Sequence, residues 1–208
     1  MLRKASPALL VAVLLVVSGC GSSSKTTAAS SASASAGGTT APAGGAALAA
    51  DAKSAATGDI PDSQNFLTLK DPRLHVSMLY PEGWTVQEGG ATGVSIKDKN
   101  NLVRIALSRG SAPTTASVQA QLAALARSTP GLTVGPAKAL SLKSGPAVKA
   151  SYTTQSAQNP VTGKQVTLKV DHYVLSHGGR VAVVDLGSPV GVDNVDAYRR
   201  MIESFKWQ

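Results

Sequence analysis

Val166-Thr167-Leu168-Lys169-Val170-Asp171-His172-Tyr173-Val174-Leu175, then Ser176-His177-Gly178-Gly179, then Arg180-Val181-Ala182-Val183-Val184-Asp185-Leu186, is the stretch whose reading decides the fold. Two runs rich in β-branched and aliphatic residues flank a glycine pair. Glycines tolerate the positive φ that a tight two-strand turn demands, so the stretch reads as an antiparallel hairpin.

Working outward from it, the same logic recurs. Leu74, Val76, Met78 and Tyr80 alternate with His75, Ser77 and Leu79, the period-two pattern of a half-buried strand, and Pro81-Glu82-Gly83 then turns the chain. After Trp84 and Val86 comes a Gly89-Gly90 break. Val94 to Lys97 and Leu102 to Ser108 form a second hairpin about Asp98-Lys99-Asn100-Asn101. Pro113-Thr114-Thr115 opens a helical pattern in which Val118, Leu122 and Leu125 share a face, stopped by Ser128-Thr129-Pro130-Gly131. Short strands are expected at Leu132 to Val134, Ala139 to Leu142 and Val148 to Thr153. Asp193 or Asn194 caps a closing helix with Val195, Tyr198, Met201, Ile202 and Phe205 on one side. Hairpin spacing excludes the long crossovers of a parallel nucleotide-binding sheet. The expected class is α+β, an antiparallel sheet covered by helices, in one domain over residues 60–208.

Four features together resemble the PsbP-like group: an aromatic opening near Phe66, the block Leu79-Tyr80-Pro81-Glu82-Gly83-Trp84, the Gly178-Gly179-Arg180 turn, and the ending Tyr198-Arg199-Arg200-Met201-Ile202-Glu203-Ser204-Phe205-Lys206-Trp207. Within that group the chain is similar to the LpqN-type actinobacterial lipoproteins. The resemblance implies an antiparallel sheet sandwiched by helices and a non-catalytic role in binding or assembly at a membrane. It implies no catalytic motif for these positions.

The amino-terminal third reads differently. Arg3 and Lys4, the ten apolar residues from Ala8 to Val17, and Val17-Ser18-Gly19-Cys20 have the three parts of a bacterial secretory signal ending in a lipobox. The apolar run is half the roughly 20 residues that a spanning helix needs, so a transient leader over residues 1–19 is expected, cleaved between Gly19 and Cys20. Cys20 is the single cysteine and the expected lipid attachment site, which excludes an internal disulfide and predicts no disulfide-linked partner. Two acyl chains on one glycerol would hold the protein at the extracytoplasmic face of the cell membrane. Residues 20–59 are almost wholly Ser, Ala, Thr and Gly. They bury too little apolar area to offset the ordering entropy and read as a disordered linker. A flexible chain of that length spans roughly 35 Å.

The formal charge is +8, and removing Arg3 and Lys4 takes it to +6. No stripe of Lys and Arg accompanies it, which argues against nucleic acid and for attraction to anionic lipid or wall polymer. The sequence has no Gly-x-Ser-x-Gly elbow, phosphate loop or His-Glu-x-x-His motif, so neither catalytic residues nor cofactors are expected. His172 and His177, near Asp171 and Asp185, are too few and too loosely spaced for a zinc site, and no metal is expected. The candidate binding residues are Tyr80 and Trp84 with Arg104 and Arg180, and separately Arg199 and Arg200 on the closing helix, where Arg199 is also spaced to pair with Glu203. The expected function is a tethered binding or adaptor module contacting an envelope protein or glycopolymer. A lipid or small-molecule carrier, with an apolar cavity between sheet and helix, is the alternative, and an envelope hydrolase a more distant one.

Overall fold

The computed structural model describes residues 58–159 and 161–208. The expectations for the leader, Cys20 and nearly all of the linker lie outside the described residues. Strands β1 (Phe66–Asp71), β2 (Val76–Pro81) and β3 (Thr85–Glu88) lead into the hairpin of β4 (Gly93–Asp98) and β5 (Asn101–Arg109). Helix α1 (Thr115–Ser128) follows, then β6 (Thr133–Val134), β7 (Lys138–Leu142), β8 (Gly145–Gln155), β9 (Thr167–His177) and β10 (Arg180–Pro189). Helix α2 (Val195–Glu203) and the short β11 (Lys206–Trp207) close the chain.

All pairings are antiparallel and fall into two sheets. The large one runs β3-β4-β5-β10-β9-β8-β6, with β7 also on β8, and the small one runs β1-β2-β11. At its centre His177 faces Arg180, leaving Gly178 and Gly179 as a two-residue turn with φ of 56° and 73°. Both values lie in the left-handed region, where a Cβ is costly and glycine is not.

Because side chains alternate across a strand, the large sheet has two apolar faces. One carries Val103, Ile105, Tyr173, Leu175, Ala182, Val184 and Leu186 and is covered by α2 and the small sheet through Met78, Met201, Ile202 and Phe205. The other carries Val148, Ala150, Tyr152, Val170 and Val174 and is covered by Val118 and Leu122 of α1. The sheet is therefore sandwiched by helices, as expected. Val118 and Met201 are fully buried between sheet and helix, each contributing about 1.5–3 kcal/mol.

Several local expectations are corrected. Leu125 and Val195, expected on apolar helix faces, are exposed. His75 sits not in a strand but in the turn before β2, with φ of 50°. Phe205 lies just beyond α2 and is buried there. Of the two cap candidates, Asp193 accepts the Val195 N–H through Oδ1 (3.3 Å), whereas Asn194 stands at the α2 N-terminus but its side chain makes no cap. It is spent on tertiary bonds instead: Nδ2 donates to the Gly58 carbonyl (3.1 Å) and to Asn101 Oδ1 (3.2 Å), while Oδ1 accepts from the Ile60 N–H (2.8 Å). This knot ties the start of the domain to α2 and β5.

Candidate functional site

The expected binding residues do not converge. Trp84 belongs to the core, and Tyr80 packs against it, half-buried. Arg199 pairs at 2.8 Å with Asp196, one turn earlier, rather than with Glu203. Arg200 lies over the Phe66 ring at 4.4 Å, beside a pocket of about 190 Å³ at the α2–β1 junction. Arg104 and Arg180 occupy opposite faces of the large sheet.

On the α1 face, Arg104 of β5, Asp185 of β10 and His172 of β9 form one cross-strand row, placed there by the register Asp185↔Arg104 and Asp185↔His172. The Asp185 carboxylate accepts from the Arg104 guanidinium through Oδ2 and meets His172 Nδ1 at 2.6 Å through Oδ1. Burial alone would raise the Asp185 carboxyl, but the His172 hydrogen bond and charge, with Arg104, hold it below the usual carboxylate value. Burial, then the neighbouring Asp185 carboxylate, pushes the Tyr152 hydroxyl up to about 12. Every charge in the row is met by an opposite one, as a structural ion pair requires. His177, expected near His172, points to the other face and stacks on Trp207 at 5.9 Å.

On that other face, at the turn end of the β9–β10 hairpin, a pocket of about 260 Å³ opens between the two sheets. Arg73, His75, Arg109 and Arg180 line it, together with Leu74 and Leu107. The register sets Arg109 directly opposite Arg180. Arg180 is held in place: its guanidinium lies 4.9 Å over the Trp207 ring and donates to the His75 carbonyl at 3.0 Å. Arg180 Nε and, outside the pocket lining, Trp207 Nε1 are buried and find no acceptor among the described residues. Arg73 is committed to structure, binding Asp71 (2.8 Å), Glu88 (3.1 Å) and the Gly90 carbonyl (3.1 Å), which pins the β1–β2 turn to the β3–β4 turn. Among the described residues, no carboxylate meets Arg109 or Arg180. Two further open pockets, of about 410 Å³ before α2 and about 480 Å³ beside the start of α1, have mixed linings without paired cations.

Arg109 was not legible as a site residue, because only the β5–β10 pairing brings it to Arg180. The signal within reach was the cation ending one strand and the cation beginning another.

No protein family matches the sequence, and no curated protein does. Among solved structures, the Ran-binding protein Mog1p of Saccharomyces cerevisiae superposes with a TM-score of 0.50 at 9% identity, over 70% of this chain and 96% of that one. The domain has a Mog1p-like fold. PsbP of the cyanobacterium Synechocystis sp. PCC 6803 aligns at 14% identity and TM-score 0.48, over 73% of this chain and 96% of that one. LpqN of Mycobacterium tuberculosis, described as involved in cell envelope biogenesis, aligns at 18% identity and TM-score 0.40, over 70% and 91%. Against a longer Bacteroides thetaiotaomicron protein, the chain spans about half that protein's length, 48%. Identities this low speak to the fold alone. Among the described residues no helix is long and apolar enough to cross a membrane.

Proposed function

We propose that this protein is a non-catalytic binding module, anchored by lipid on Cys20 to the extracytoplasmic face of the cell membrane and contacting an envelope protein or glycopolymer. The anchor reading rests on Val17-Ser18-Gly19-Cys20 after a short apolar run; the reach comes from the Ser/Ala/Thr/Gly linker. The observation that carries the binding role is the cation-lined pocket between the two sheets. Its Arg180 is oriented before any ligand arrives, by Trp207 and the His75 carbonyl, and preorganised donors favour recognition. The polar network on the opposite face is closed on itself, with Asp185 shared between Arg104 and His172, and it serves stability.

The test is saturable binding of the full chain, carrying Cys20→Ser so that acylation contributes nothing, to isolated envelope fragments. Saturation that unlabelled protein competes away supports the module. Uptake that rises linearly with protein and resists competition refutes it.

A further inference from the structure

The paired arginines of the pocket are a charge problem with a chemical solution. Directly opposed residues on neighbouring strands hold their Cβ atoms about 4.5–5.5 Å apart, and like charges there repel. Arg109 and Arg180 are such a pair, and among the described residues neither meets a carboxylate. The other cation in the lining, Arg73, is already neutralised by Asp71 and Glu88. A bound anion would turn the repulsion into two attractions.

We propose that this pocket binds a phosphate group bearing a small organic substituent, the chemistry shared by an anionic phospholipid headgroup and a free phosphate ester. The proposal deepens the binding-module reading and rests on it for taking this pocket as the site. Two planar guanidinium forks, one from each strand, call for an acceptor with oxygens in more than one plane. A tetrahedral phosphate offers these, whereas a planar carboxylate matches a single fork. Leu74, Leu107 and Ala91 give the pocket an apolar wall, and about 260 Å³ leaves room for a substituent beside the oxyanion. The positive balance of the whole chain adds long-range attraction for the same sign of ligand.

The test is a backbone and indole NMR titration of the full chain with glycerol 3-phosphate and, separately, with monomeric dihexanoylphosphatidylglycerol, each against acetate at matched ionic strength. The expected result is saturable movement of the Trp207 indole and of the Arg109 and Arg180 amides. Arg109→Gln, an exposed position whose replacement leaves the fold intact, should weaken binding by about tenfold, the loss of one charge-assisted donor group. Arg127→Gln, an exposed cation on α1 across the sheet, should leave affinity unchanged. Tighter binding of the lipid than of glycerol 3-phosphate identifies a headgroup as the source; equal or weaker binding identifies a free phosphate ester. Failure of both probes to saturate, acetate matching glycerol 3-phosphate, or equal weakening by both variants overturns the proposal. A protein that ignores both probes yet binds envelope fragments saturably keeps the module reading and loses this site.

Discussion

Asp185→Asn is the substitution whose outcome the structure constrains most tightly. The side chain keeps its shape but loses its charge, and its amide cannot accept from Arg104 and His172 as the carboxylate does. His172 is nearly buried, so the loss of a charge-assisted acceptor there costs about 1–3 kcal/mol. The Arg104 side chain is 53% exposed and can turn to water, so its share is that of a surface pair, up to about 1 kcal/mol. Together the loss is about 1–4 kcal/mol, which for a domain of this size lowers Tm by about 2–16 °C. A typical stability of about 5–15 kcal/mol leaves the variant folded in the cold. Urea unfolding followed by circular dichroism at pH 7, 5 and 3 is the assay. The wild-type carboxyl titrates below its ordinary 3.8, so its contribution is complete above that value and is lost as pH falls through the folded pKa. The gap between wild type and variant should therefore be constant from pH 7 to 5 and shrink in stronger acid. A gap under about 1 kcal/mol at pH 7, or one that persists undiminished below the carboxyl's folded pKa, refutes the reasoning.

Three other substitutions probe the frame around the pocket. Asn194→Ala strands the Ile60 N–H and Asn101 Oδ1 in a buried place and should cost about 2–4 kcal/mol in urea unfolding, with earlier hydrogen exchange at Ile60 than elsewhere in the core. Met201→Ala removes a side chain that is 0% exposed between α2 and the sheets and should cost about 2–5 kcal/mol, read as a lower urea midpoint with the slope unchanged. Gly179→Val forces a β-branched residue to φ of 73° and should destabilise the β9–β10 turn by at least about 1 kcal/mol, visible as faster exchange of the Arg180 amide, whereas Gly179→Asn should be tolerated.

The β4–β5 and β9–β10 hairpins were legible because alternation and turn chemistry agree over short distances. Strand β1 of the small sheet and β3 at the edge of the large one were not. Strand β1 is mostly exposed and β3 exposed throughout, so neither shows the buried–exposed alternation that marks a strand from sequence. The apolar helix faces were drawn one residue too wide at Leu125 and Val195, because a periodic pattern says which side is apolar but not where the covering layer ends. Trp84 and Asn194 illustrate a different gap. An aromatic residue after a turn fits a ligand surface as well as a core, and an Asn before a helix fits a cap as well as a tertiary knot; only the packing decides. The same holds for the site. Arg180 was visible as a cation beside a turn, but its opposition to Arg109 depends on which strands become neighbours, information carried by the whole fold rather than by either segment.

Intact mass spectrometry of the protein recovered from its own membrane, alongside Cys20→Ser, tests the anchor most directly. The account predicts a wild-type chain that begins at Cys20 and carries diacylglyceryl mass, and a variant that retains residues 1–19 without acyl mass. A wild-type chain with an unmodified thiol, or a Cys20→Ser variant processed as the wild type is, would contradict it.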